Sequence, residues 1–146
     1  MGLVAAGNLG SRRRWSQNPV TVFVMGVGGA LGAISRYYVS AWASTVAGDA
    51  LPWGTFTVNV VGSFALGFLL VWLQELAPND EVRQFAVVGV LGSFTTFSTF
   101  SYEAVALARA GEALRASSYL LGSVVFGVAA VILGASLATA IAGGRG

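Results

Sequence analysis

The sequence predicts an all-α membrane protein of four transmembrane helices, and three observations carry that prediction. Of the 146 residues 55% are hydrophobic and only 10% charged, with a mean hydropathy of +0.75, whereas soluble domains carry about 25% charged residues. Four apolar runs each reach the roughly 20 residues that a spanning helix needs. Short polar links bearing Pro or Gly separate those runs.

Residues 1–19 form a polar, Gly-containing tail without periodicity, ending in Arg12, Arg13 and Arg14 and expected to be flexible. The first run, Val20 to about Val46, is interrupted only by Arg36 and a few hydroxyls. Asp49, Pro52 and Trp53 then mark an interfacial turn, Pro opening the next helix and Trp anchoring it at headgroup depth. The second run, Trp53 to Leu76, contains one amide, Asn59. A link from Ala77 to Glu81 leads into the third run, Val82 to Ala108. After a link from Ala110 to Arg115, the fourth run occupies Ala116 to Ala142, and residues 143–146 form a C-terminal tail. There is no internal repeat, so residues 20–142 read as a single domain.

The absence of Cys and His excludes disulfides, thiolate metal sites and imidazole catalysis. No grouping of nucleophile, base and metal ligands exists, so the chain does not read as an enzyme. All eight basic residues are Arg. Only the Arg12 to Arg14 triplet is clustered, too little for a nucleic-acid face, and it suits anionic headgroups. Its faint likeness to a twin-arginine export signal conflicts with the three further apolar runs behind it. Tail aside, Arg residues nearly balance across the two membrane sides, so the chain is able to insert both ways and meet itself as an antiparallel pair.

Small residues at three- and four-residue spacings, Gly26, Gly28, Gly29, Ala30, Gly32 and Ala33 in the first run and Ser118, Gly122, Ala130 and Gly134 in the fourth, allow close helix approach. Their number implies oligomerisation. Thr55, Asn59 and Ser63 recur every four residues and form a polar stripe on one face. Asn59 either ties helices together or turns its amide to a permeant anion, and Tyr119 with Ser123 repeats the spacing in the fourth run.

The third run departs from the others at Gly92-Ser93-Phe94-Thr95-Thr96-Phe97-Ser98-Thr99-Phe100-Ser101. Its hydroxyls compete for backbone carbonyls, so two readings stand: a helix with hydroxyls bonded back one turn, or a break whose freed carbonyls are buried or meet an ion. Phe97 and Phe100 share a face, and aromatic edges are electropositive, so they either pack a core or lie against an anion. Arg36 and Glu103 sit nearest the hydrocarbon, where charge costs about 2.5–3.5 kcal/mol, and read as structural groups.

Together, Gly28-Gly29-Ala30-Leu31-Gly32-Ala33 with Arg36-Tyr37, Gly54-Thr55 with Val58-Asn59 and Gly62-Ser63-Phe64, and the string from Gly89 to Phe100 with Glu103 resemble the CrcB/Fluc family of fluoride channels, from Val20 to Ala142. The resemblance implies a third helix broken near its middle and an antiparallel dual-topology homodimer in the bacterial inner membrane. It also implies two pores for passive fluoride export, which protects the cell from fluoride, and a central structural sodium ion (Na+). On that basis Asn59, Phe97, Phe100, Ser98, Thr99, Tyr119 and Ser63 are expected along the fluoride path, and the backbone carbonyls of Gly92 and Thr95 at sodium. A coupled transporter is the rival class and needs a protonatable carboxylate deep in a span, for which only Glu103 offers itself; a scaffold subunit without transport is the third.

Overall fold

The computed structural model describes residues 18–76 and 79–144. The tail expected over 1–19 therefore lies outside the described residues up to position 17, Arg12 to Arg14 included, as do Ala77, Pro78, Arg145 and Gly146.

The described chain is all-helical, and four stretches are long and apolar enough to cross a membrane: Pro19–Ala47, Trp53–Gln74, Asp80–Arg109 and Ala113–Gly143. Helix α1 (Pro19–Ala47) begins where Asn18 accepts a bond from the Val20 amide at 3.0 Å with Pro19 in the first turn. It ends at Gly48, whose φ of +75° turns the chain out of the helix. Helix α2 (Trp53–Leu76) follows.

The third span is composite. A short α3 (Asp80–Arg83) is capped by Asn79, whose side chain accepts from the Val82 amide at 3.1 Å. It runs into a π-helical segment, Gln84–Leu91, then one α-helical turn, α4 (Gly92–Phe94), and after a break α5 (Phe97–Arg109). Gly111 at φ +80° makes the last turn, and α6 (Ala113–Gly143) starts three residues earlier than the sequence predicts.

Glycines decide how these helices lie together, because in lipid close backbone approach replaces a hydrophobic driving force. A methyl on Gly134 of α6 would collide with the Phe64 carbonyl of α2, and one on Gly67 with the Val131 carbonyl of α6. On the opposite side, a methyl on Gly28 would lie 2.7 Å from the Phe85 carbonyl, and one on Gly89 2.8 Å from the Met25 carbonyl, so α1 and the π segment touch along their backbones. Gly26 and Gly122, from the same predicted stripes, have open space where a side chain would be. Large apolar residues such as Phe23, Leu31, Trp42, Leu121 and Leu133 stand exposed, as lipid-facing or subunit-facing residues must. A small core of Phe100, Ala104 and Tyr119, flanked by Leu51, Phe56 and Leu107, sits beside the break.

A polar break in the third span

Of the two readings left open for the hydroxyl-rich string, the structure adopts the break. Thr95 (φ −83°, ψ 158°) and Thr96 (φ −149°, ψ 113°) are both extended between α4 and α5. Extended backbone at membrane depth needs partners for its polar groups, and one side chain serves both groups of Thr96. Asn59 of α2 accepts from the Thr96 amide at 2.8 Å and donates through Nδ2 to the Thr96 carbonyl at 3.1 Å, so a carboxamide stands in for a peptide group of a neighbouring strand. One Nδ2 hydrogen remains beyond that pair.

Thr96 also caps α5. Its Oγ1 accepts from the Thr99 amide at 3.3 Å, contacts the Thr99 hydroxyl at 3.0 Å and lies 3.4 Å from the Ser98 hydroxyl. The Thr96 N–H that would close on Gly92's carbonyl in a continuous helix is turned to Asn59, and the Thr99 N–H that would close on Thr95's carbonyl is turned to the cap. The carbonyls of Gly92 and Thr95 are thus among those the break releases. Arg36 of α1 approaches the Thr95 carbonyl with Nη1 at 3.5 Å, and the Thr95 hydroxyl bonds back to Leu91 at 3.1 Å.

The expected site residues separate into groups. Asn59, Ser63, Gly92, Thr95 and Phe97, with Thr96, line one cavity of about 350 Å³. Thr99 lines a second of about 540 Å³ with Arg36, Ser40, Ser44, Thr55 and Thr96. Ser98 is exposed beside the cap. Phe97 and Phe100 have ring centroids 5.8 Å apart, but Phe97 is 79% exposed and Phe100 only 8%, so the pair reaches from the outer surface into the core. Tyr119 lies deeper still at 1% exposure, its ring 5.2 Å from Phe100. It lines neither cavity and donates its hydroxyl to Glu103 at 2.7 Å.

Three residues that the sequence did not single out as site residues are central here. Thr96 holds the cap and the Asn59 pair. Its signal was a Thr directly ahead of a helix start, a favoured N-cap residue whose Oγ accepts from the backbone amide three positions on. Thr55 donates to Glu103 at 2.9 Å, so Glu103 accepts from both α2 and α6 and ties them to α5. The third is Gly62, against which the break packs.

What fold and site define together is a small multi-pass helical membrane protein with an interrupted span whose freed polar groups face cavities. The chain belongs to the family described as CrcB-like protein, Camphor Resistance (CrcB), whose profile matches residues 23–135. Among its relatives, a protein of Hahella chejuensis named fluoride-specific ion channel FluC is 48% identical over 120 residues, covering 82% of this chain and 94% of the relative. One of Rhizobium meliloti with the same name is 42% identical over 121 residues, 82% of this chain and 97% of the relative. A third, fluoride-specific ion channel FluC 2 of Nocardia farcinica, is 43% identical over 122 residues, 83% of this chain and 86% of the relative.

Proposed function

We propose that this protein is the subunit of a fluoride-selective channel for passive export across the bacterial inner membrane. The names of its relatives support the ion, and one observation carries the mechanism: a span interrupted at Thr95 and Thr96, clamped by Asn59, with hydroxyls and phenyl rings gathered at the restarted helix. Fluoride holds its hydration tightly and leaves water only for dense hydrogen-bond donors. The spare Nδ2 hydrogen of Asn59, the hydroxyls of Ser63, Ser98 and Thr99, and the ring edges of Phe97 and Phe100 are such donors. The N-terminal end of α5 adds partial positive charge without a full cation. Weak binding at several sites lets an anion enter and also leave.

Phe97 stands on the outer surface and the first cavity is open to it, which favours a path completed by a second copy. In this reading two chains associate antiparallel, each pair enclosing two pores, with Tyr119 bordering the path from α6. The released carbonyls of Gly92 and Thr95 suit a hard cation such as sodium, which favours oxygen ligands. The Gly92 and Thr95 carbonyls of both copies would supply oxygen ligands, and the ion would hold the two chains together without taking part in fluoride transfer. Glu103 is held by two donors inside the bundle, which favours a structural carboxylate over the proton carrier of a coupled transporter.

The test is fluoride efflux from liposomes holding the purified protein. Release that begins when valinomycin and potassium dissipate the potential, and that does not change with a proton gradient, is expected. A folded protein that releases no fluoride, or only in exchange for protons, overturns the reading.

A further inference from the structure

Asn59 grips one residue of the break, and the other, Thr95, rests on the same face of α2 three residues along, at Gly62. Gly62 is buried, and a methyl placed there would overlap Thr95 Cγ2 and lie 3.2 Å from Phe94 Cδ1. The Thr95 side chain has no easy retreat. Turning its χ1 to withdraw the methyl pulls Oγ1 off the Leu91 carbonyl, where it bonds at 3.1 Å. On the far side, a methyl on Gly32 of α1 would meet the Val90 carbonyl and lie 3.1 Å from the Phe94 amide, so α1 leaves no room for the segment to back away.

The geometry points to Gly62 as a positioning residue for conduction: the missing side chain sets how closely the break seats on α2, and thereby where Thr96, Phe97, Ser98 and Thr99 stand relative to Asn59. The hook and the gap act on adjacent residues, so a push on Thr95 is transmitted through one peptide to the 2.8 and 3.1 Å bonds of the Asn59 and Thr96 pair. A side chain at position 62 displaces the donors without touching any of them. This inference rests on the channel reading, since its readout is ion flux.

The clash names its own remedy, because Thr95→Ser removes Cγ2 and keeps the hydroxyl that bonds Leu91. The experiment compares fluoride efflux for the wild type, Gly62→Ala, Thr95→Ser and the double variant, each checked for a monodisperse elution profile in detergent. Gly62→Ala is expected to lower flux by about tenfold or more, the scale of an ångström-sized misplacement of reacting groups. The double variant is expected to recover to within about threefold of Thr95→Ser alone, the mark of two residues coupled through one contact. Should Gly62→Ala fail to fold, the double variant is expected to fold and conduct. Gly62→Ala with wild-type flux overturns the inference, as does a double variant no better than Gly62→Ala. A wild type without fluoride flux overturns the channel reading instead, so the two failures are distinct.

Discussion

Helix α2 makes two contacts of opposite character. Toward α6 it is a strut: Gly67 lies on the Val131 carbonyl and Gly134 on the Phe64 carbonyl, backbone against backbone within two unbroken helices. Toward the third span it is a clamp, in which Gly62 admits Thr95 while Asn59 completes the hydrogen bonding of Thr96. Both contacts use glycine to bring chains close. Only the clamp holds backbone that has left the helix, and so only there must a side chain do the work of a peptide. The difference teaches that one apolar helix can be rigid along one edge and hold a polar seam along another, provided the released backbone groups find side-chain partners or face a cavity.

The sharpest way to break the comparison is to remove the clamp's polar half. Asn59→Ala strands both backbone groups of Thr96, and each unsatisfied buried group costs about 1–3 kcal/mol. We expect fluoride efflux to disappear and amide exchange across residues 94–99 to accelerate, as followed by mass spectrometry. Flux and exchange like those of the wild type would mean that the break stands without Asn59. Thickening the strut should do the opposite. Gly134→Ala forces α2 and α6 apart, at about 1–3 kcal/mol for overpacking, so thermal unfolding in detergent should occur at lower temperature. The folded fraction should still release fluoride at close to the wild-type rate. Loss of flux at unchanged stability would show that the strut and the clamp are not separate.

The α6 side of the strut was legible in the sequence, Gly67 on its α2 side was not singled out, and the clamp was legible only in part. Small residues at four-residue spacing announce close packing, although spacing alone did not separate Gly134, which packs within the chain, from Gly122, which does not. The stripe of Thr55, Asn59 and Ser63 gave a face because helical period fixes direction. It could not give the objects faced, which are Glu103, Thr96 and a cavity supplied by residues tens of positions away. The string from Gly92 to Ser101 signalled conflict between helix and hydroxyls but left two outcomes open. What decides between them is the tertiary partner Asn59, together with the Thr96 cap. The π-helical stretch Gln84–Leu91 left no mark in its apolar composition. It touches α1 backbone to backbone at Gly28 and Gly89.

Ser123 of α6 supplies the smallest and most selective test. It lies one turn beyond Tyr119 on the face of α6 that meets the core, and among the described residues its Oγ is buried without a hydrogen-bond partner. Removing that hydroxyl breaks no bond within the chain and relieves an unsatisfied buried polar group, so Ser123→Ala should hold the unfolding temperature or raise it, by up to about 1–3 kcal/mol of stability. If α6 is strut alone, flux should be unchanged. If the ion borrows the idle hydroxyl on its way past the clamp, flux should fall by about fivefold, the worth of one net hydrogen bond. We expect the second result, because a buried hydroxyl without a partner is a standing cost to the fold that a passing anion relieves. Equal flux in the two proteins would confine the path to the clamp and return α6 wholly to the strut.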